Sequence, residues 1–322
     1  MPPHAIVTSG LEKRYPRGGT YAVRGVDLAV DHGEVYGFLG PNGAGKSTMV
    51  RLLVTLLRPS AGTAFVAGHD VVKNPAAVRS NIGVALQDAA IDPLMTGREL
   101  LRLQSVLHGI GRKAVGARSD LLLERVGLTS AGDKRVGEYS GGMRRRLDLA
   151  MALIHEPSVL FLDEPTTGLD PSSRLLLWNE VRRLRDQGTT VFLTTQYLEE
   201  ADQLADRVGI IAGGELVAED TPAALKAQVG RPHIHIGLAD PSDLARALEV
   251  SATVGDPRPG VTPSCMDVSV DDGSRELAAL VRVLDDAGIV VESMAVKSPT
   301  LDDVFLQKTG EHLSETEEEV AA

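Results

Sequence analysis

Apolar positions recur at two different spacings along the chain, and the switches between them mark out its elements. Over residues 5–30, short apolar segments alternate with polar positions around Tyr15, Pro16 and Gly18–Gly19, a pattern of antiparallel strands and turns. The apolar run 34–39 (EVYGFL) predicts a strand, and 47–57 (STMVRLLVTLL) has helical spacing. A strand pair is expected over 62–70 and a strand over 82–87. Residues 96–154 are mostly helical in period, with breaks at 109–111, 127–132 and 140–142. Strand and helix then alternate through 158–163, 172–187, 190–194, 197–205 and 207–211, and Pro222 closes the series. Such alternation predicts an α/β core on a mostly parallel sheet covered on both faces. A small antiparallel β layer precedes it, and a helical insertion interrupts it.

From residue 231 the order becomes strand (234–238), helix (241–250), short strand (252–254), strand (266–270), helix (274–287) and strand (289–296). That β-α-β-β-α-β succession predicts a small ferredoxin-like α+β unit. A further helix is expected over 301–309, before an acidic tail that is poor in apolar residues and is read as disordered. The expected division is therefore 1–222, 223–310 and a tail over 311–322.

Charge sharpens that division. Of the formal net charge of −11, none comes from residues 1–230, with 26 acidic and 26 basic residues, whereas 231–322 hold 18 acidic against 7 basic. A neutral front and an acidic rear argue against a chain-wide nucleic-acid surface, which would be basic. No run of about 18 apolar residues occurs, so no segment is expected to span a bilayer. The opening MPPHAIVTSG lacks the pattern of a signal peptide. The single cysteine, Cys265, excludes an internal disulfide and fits a reducing cytoplasm; its apolar-alternating neighbourhood predicts a core position.

Candidate chemistry begins at GPNGAGKST. Gly40, Pro41, Asn42, Gly43, Ala44, Gly45, Lys46, Ser47 and Thr48 fit G-x-x-x-x-G-K-[ST] between a predicted strand and a predicted helix. Glycines let the backbone aim N–H groups at phosphate oxygens, the helix N-terminus adds a positive dipole end, and Lys46 adds a mobile cation. Ser47 supplies a hydroxyl for Mg²⁺. Alone, the loop indicates nucleotide binding and does not distinguish kinase, GTPase and transporter. Asp163 and Glu164 end the apolar strand VLFL: Asp163 suits a Mg²⁺ shell shared with Ser47, and Glu164 suits accepting a proton from an attacking water. In YSGGM (139–143), Ser140, Gly141 and Gly142 open another helix and form a second phosphate-binding device. Arg144, Arg145 and Arg146 crowd its first turn, where the dipole disfavours cations, so an external anion or local acidic groups are expected to compensate. His233 and His235 alternate on a strand with no third ligand nearby and read as solvent-facing; Trp178 reads as helix packing.

Taken in order, GPNGAGKST, Gln87, YSGGM, VLFLDEP and Gly168–Asp170 resemble the ATP-binding subunit of ABC transporters over about residues 5–222. The resemblance implies a P-loop NTPase core that works as a dimer, with two ATP molecules sandwiched between the phosphate loop of one subunit and the signature segment of the other. It implies that Gly40–Thr48 bind phosphates and that Gln87 bridges Mg²⁺ and the membrane partner. Asp163 would support the metal, Glu164 would be the general base, Ser140–Gly142 would meet the partner's ATP and Asp170 would link the two sites. Tyr15 matches the aromatic that stacks on adenine, with Tyr21 close enough to compete. Implied partners are an integral-membrane permease and a second copy of the chain, with no nucleic acid; the implied location is the cytoplasmic face of the cell membrane.

Three positions depart from the usual pattern: Tyr139 stands for Leu, Met143 for Gln, and Gln196 for the switch histidine, a catalytic position. Glutamine can donate a hydrogen bond to a γ-phosphate oxygen but carries no proton charge. All three departures occur together in the daunorubicin/doxorubicin-resistance type of ABC ATPase, which also has a stretch like PTLDDVFL at 299–306. The resemblance then reaches about residue 310 and implies the ATPase half of an exporter of a drug-like or lipid-like hydrophobic compound. The competing reading is a soluble ABC-type ATPase acting on ribosomes or nucleic acid. That type carries two ATPase units and basic surfaces, against one phosphate loop and an acidic rear here.

Overall fold

The computed structural model describes residues 3–15, 19–87, 91–260, 262, 264–271, 273–310 and 313, which divide into two compact units parting after Pro222. In the first, β1 (Ile6–Arg14) pairs antiparallel with β2 (Tyr21–Val30), and β3 (Val35–Leu39) runs through the glycine loop into α1 (Lys46–Leu53). β4 (Ala61–Val66) and β5 (His69–Asp70) complete an antiparallel sheet ordered β2-β1-β4-β5. α2 (Pro75–Asn81) and β6 (Ile82–Ala85) lead into the helical insertion of α3 (Gly97–Leu107), α4 (Arg112–Arg125) and α5 (Gly141–Ala152). The core resumes with β7 (Val159–Asp163), α6 (Pro171–Asp186), β8 (Thr190–Thr195), α7 (Leu198–Leu204), β9 (Arg207–Ala212) and β10 (Glu215–Asp220). The large sheet is ordered β10-β9-β3-β8-β7-β6 and is parallel except for β10.

Both faces of this sheet are covered at its centre, which is why β3, β7 and β8 are buried along their whole length. On β7, Val159 and Phe161 pack with α1 and the antiparallel layer, whereas Leu160 and Leu162 pack with α5 and α6. Phe192 of β8 meets Tyr36, Phe38 and Phe161 at ring-centroid distances of 5.6, 5.5 and 5.7 Å. This packing fixes the C-terminal ends of β3, β7 and β8 side by side. Trp178 on α6 is buried and donates to Glu200 Oε1 at 3.3 Å.

Some boundaries differ from the periodicity. α1 stops at Leu53 rather than 57, because Thr55 adopts a left-handed φ of 68°. α2 and β10 carry no clear pattern of their own. β10 is half-buried at the sheet edge and is joined to β9 by Gly213–Gly214, both with positive φ (56° and 84°), a two-residue antiparallel turn.

The second unit contains α8 (Pro222–Val229), β11 (His233–Leu238), α9 (Leu244–Ser251), β12 (Asp256–Pro259), β13 (Cys265–Ser269), α10 (Gly273–Asp286), β14 (Val291–Lys297) and α11 (Leu301–Thr309). Its sheet is ordered β12-β13-β11-β14 with every neighbour antiparallel, a ferredoxin-like arrangement. Ile234, Ile236, Met266 and Val268 face a core shared with Leu280 and Leu284. The strand expected at 252–254 is instead a turn: Ala252 N–H still bonds Leu248 and Glu249 carbonyls, and the chain extends only at Asp256. Cys265 is not a core residue. The two-residue period turns Met266 and Val268 inward, so Cys265 and Asp267 share the outer face and Cys265 is only half-buried. Outer-face His235 has Nδ1 2.7 Å from Asp267 Oδ1, and His233 Nε2 lies 4.0 Å from the same oxygen. Among the described residues no group of three His, Cys, Asp or Glu is placed to hold a metal. The expected disordered tail lies, apart from Leu313, outside the described residues, as do Pro16 and Gly18 of the first turn.

Candidate active site

The glycine loop leaves β3 and enters α1 under tight steric control. Gly45, the cap of α1, has φ 109°, and a Cβ there would lie 2.1 Å from the Ala22 carbonyl oxygen. At Gly40 a Cβ would meet the Ile211 carbonyl oxygen at 2.4 Å. Only glycine lets this loop pass so close to β2 and β9. Lys46 is almost fully buried; its Nζ donates to the Gly40 carbonyl at 2.6 Å and the Pro41 carbonyl at 3.1 Å, and lies 3.2 Å from Glu164 Oε1. Burial lowers the Lys46 pKa, while the Glu164 and Asp163 carboxylates oppose that shift.

The carboxylates arrive from β7. Asp163 Oδ1 accepts from Ser47 Oγ at 3.2 Å and from Thr194 Oγ1 at 2.6 Å. Glu164 is buried and has φ 48°, a region that costs a non-glycine residue energy; its N–H donates to the carbonyl and the hydroxyl of Thr194, both at 3.1 Å. Thr194, at the end of β8, thus holds the Asp163 carboxylate and the backbone of Glu164. In the sequence, a threonine within a buried strand reads as an ordinary β-former and carries no sign of this role. A pocket of about 250 Å³ is lined by Pro41–Gly43, Gly45–Thr48, Ala22, Gln87 and Glu164. Gln87, exposed at the end of the β6 segment, therefore meets the loop in space.

Other expected site residues sit differently. Tyr15 has its hydroxyl 3.5 Å from Thr48 Oγ1, next to the loop, with Lys13 Nζ 5.7 Å from its ring; the Tyr21 ring has Arg14 and Arg24 at 5.6 and 5.9 Å. Ser140 caps α5 by accepting from Met143 N–H at 3.2 Å. Ser140, Gly141 and Gly142 do not line the phosphate-loop pocket of their own chain. Gly142 packs so closely on α6 that a Cβ would lie 2.7 Å from Ser173 Oγ. Asp170 caps α6, accepting from Ser173 N–H at 2.9 Å, and hydrogen bonds from Ser172 and Ser173 hold its carboxyl well below the usual range. Gln196 follows β8, half-buried, and is not among the pocket-lining residues. Compensation at the arginine run comes in part from local acidic groups, as expected, with Asp148 3.7 Å from Arg145 and the Asp163, Glu200 and Glu164 carboxylates also favouring its charge. The hydrogen bonds themselves go to the carbonyl oxygens of Tyr139, Leu86, Asp163, Pro165, Val126 and Gly127. Tyr139 is buried, and its hydroxyl donates to the Ala131 carbonyl at 2.6 Å.

A buried lysine in a glycine loop, a hydroxyl–carboxylate pair and a second carboxylate at adjacent ends of a parallel sheet define a nucleotide-hydrolysing P-loop fold. Residues 23–167 match the family described as ABC transporter, and 221–309 match ATP-binding protein DrrA1-3-like, C-terminal domain. The chain is 50% identical to daunorubicin resistance ATP-binding protein DrrA3 of Streptomyces coeruleorubidus, over 95% of this chain and 96% of that one. It is 43% identical to Nod factor export ATP-binding protein I of Burkholderia orbicola (strain AU 1054), over 75% and 79%. Among solved structures, cbiO1 of Clostridium perfringens, part of the ABC transporter complex cbiONQ, superposes with a TM-score of 0.64 at 26% identity, covering 70% of this chain and 91% of that one. The chain belongs to the ABC transporter ATP-binding subunits, in the branch of the daunorubicin-resistance ATP-binding proteins, and is an ATPase.

Proposed function

We propose that the chain powers export of a drug-like or lipid-like hydrophobic compound through a separate integral-membrane permease, at the cytoplasmic face of the membrane. It works as a homodimer, with residues 1–222 as the ATPase domain and 223–310 as an accessory domain. The observation that carries this reading is the cluster in which Lys46, Ser47 and Glu164 line one pocket and Asp163 bonds Ser47, with Ser140 outside that lining. Each chain thus offers half of a site and the other half of another. Cargo is proposed from the relatives, one named for daunorubicin resistance and one for Nod factor export.

The residues present suit their ligands. Gly40 and Gly45 keep clear the space a side chain would fill, and buried Lys46 offers a cation to polyphosphate. Ser47, Asp163 and Gln87 form an oxygen donor set of the kind Mg²⁺ prefers. Mg²⁺, when bound, neutralises charge on the phosphates. Glu164 accepts a proton from the water that attacks the γ-phosphorus; the bond to the β–γ bridging oxygen breaks, and ADP and inorganic phosphate leave. Tyr15 stacks on the adenine, and Gln196 donates an amide hydrogen bond without carrying a proton. Glu164→Gln is expected to lower hydrolysis by about a hundredfold or more while nucleotide binding persists. In vesicles containing the permease it should abolish daunorubicin efflux. Wild-type hydrolysis by this variant would contradict the assignment of the base, and efflux that continues without hydrolysis would contradict the coupling.

A further inference from the structure

Of the three successive arginines that open α5, the middle one reaches the catalytic strand. Arg144 Nε donates to the Tyr139 carbonyl at 3.2 Å, and Arg146 Nη1 donates to the Val126 carbonyl at 2.8 Å, so both brace the helical insertion itself. Arg145 spans outward. Its Nε donates to the Pro165 carbonyl at 3.2 Å, its Nη1 to the Leu86 carbonyl and its Nη2 to the Asp163 carbonyl. The side chain is 12% exposed, with Asp148 Oδ2 at 3.7 Å. Asp163 and Pro165 stand on either side of Glu164, and Leu86 directly precedes Gln87. Glu164 has φ 48°, a strained conformation that persists only where its surroundings hold it. Thr194 holds the Glu164 N–H, and Arg145 holds the flanking carbonyls.

We propose that Arg145 is a positioning residue for ATP hydrolysis, tying the strained backbone of Glu164 and the approach to Gln87 to the helix that begins at Ser140. Its donors lie in one rigid plane, so carbonyls from two separate stretches of chain are held in a single arrangement. A shift of α5 against β7 strains these bonds together and moves the Glu164 carboxylate from its place beside Lys46. Lysine, a point donor on a flexible stem, keeps the charge but not the fork. The proposal rests on the reading of Glu164 as the general base.

The test is steady-state ATP hydrolysis by the full chain carrying R145Q, R145K or the double substitution R145M/D148M, with E164Q as control, alongside nucleotide binding and thermal melting. R145Q is expected to lower kcat about tenfold or more, the scale of a small misplacement of a reacting group. KM for ATP should stay within about twofold of wild type, which separates positioning from binding. R145K should recover part of the lost kcat. R145M/D148M removes the buried pair together, avoids an orphaned carboxylate and should lose kcat as R145Q does, so it decides the matter if R145Q fails to fold. Wild-type kcat in R145Q or in the folded double variant, or a loss confined to melting temperature or KM, overturns the proposal. Wild-type turnover by E164Q would instead overturn the reading of Glu164 beneath it.

Discussion

Tyr139 illustrates how one departure from a family pattern is accommodated by its neighbours. Its hydroxyl sits where a Cβ on Gly97 would lie 2.6 Å away, so the first residue of α3 must lack a side chain. Gly97→Ala is expected to destabilise the chain by about 1–3 kcal/mol, as overpacking does. A urea titration should find most of that loss recovered in Gly97→Ala/Tyr139→Phe, because the two sites couple through the hydroxyl; strictly additive effects would contradict the contact. Asp148 behaves differently: burial raises its carboxyl from 3.8 to about 7, against the pull of Arg145. Between those values the folded chain holds a proton that the unfolded chain has released. The stabilisation is therefore full below the lower value and is lost as pH rises through about 7. Asp148→Asn escapes that loss, so its melting temperature relative to wild type should improve between about pH 5 and about pH 8. An unchanged difference would contradict the buried, raised carboxyl.

At the scale of elements, α6 starts on Asp170, whose side chain caps the helix, although the family resemblance gives this residue a part in linking two sites. The two roles separate experimentally. Asp170→Ala should lower the melting temperature because the cap is lost, whereas Asp170→Asn keeps the cap. If Asp170→Asn retains both stability and ATPase activity, capping is sufficient; full stability with lost turnover assigns the carboxylate to the link. Elements were legible in the sequence to the degree that burial made them uniform. β3, β7 and β8 are buried on both faces and stand out, and the glycine loop and the Asp163–Glu164 pair follow from their position at strand ends. β10 is half-buried and irregular, and the turn at 252–254 continues helical bonding through residues of strand-like composition. Thr194 and Arg145 were illegible for another reason: they act on backbone groups or on carboxylates distant in sequence, and such partners leave no local pattern.

For the whole molecule, the distribution of phosphate-binding groups matters more than their number. The loop, Lys46 and Glu164 line one pocket, with Asp163 hydrogen-bonded to Ser47, while Ser140, the cap of α5, does not line it. On the proposed dimer, a chain built this way completes its site against a second copy, and that proposal predicts that neither half alone supports full turnover. Mixing two inactive variants tests this most directly: Lys46→Ala, which disables the loop, and Ser140→Arg, which disables the start of α5. In a mixed dimer one site combines both defects and the other combines an intact loop with an intact helix start. The account predicts that each variant alone is inactive and that ATP hydrolysis returns on mixing; no recovery from mixed dimers confirmed to form, or full activity from an isolated monomer, would contradict it.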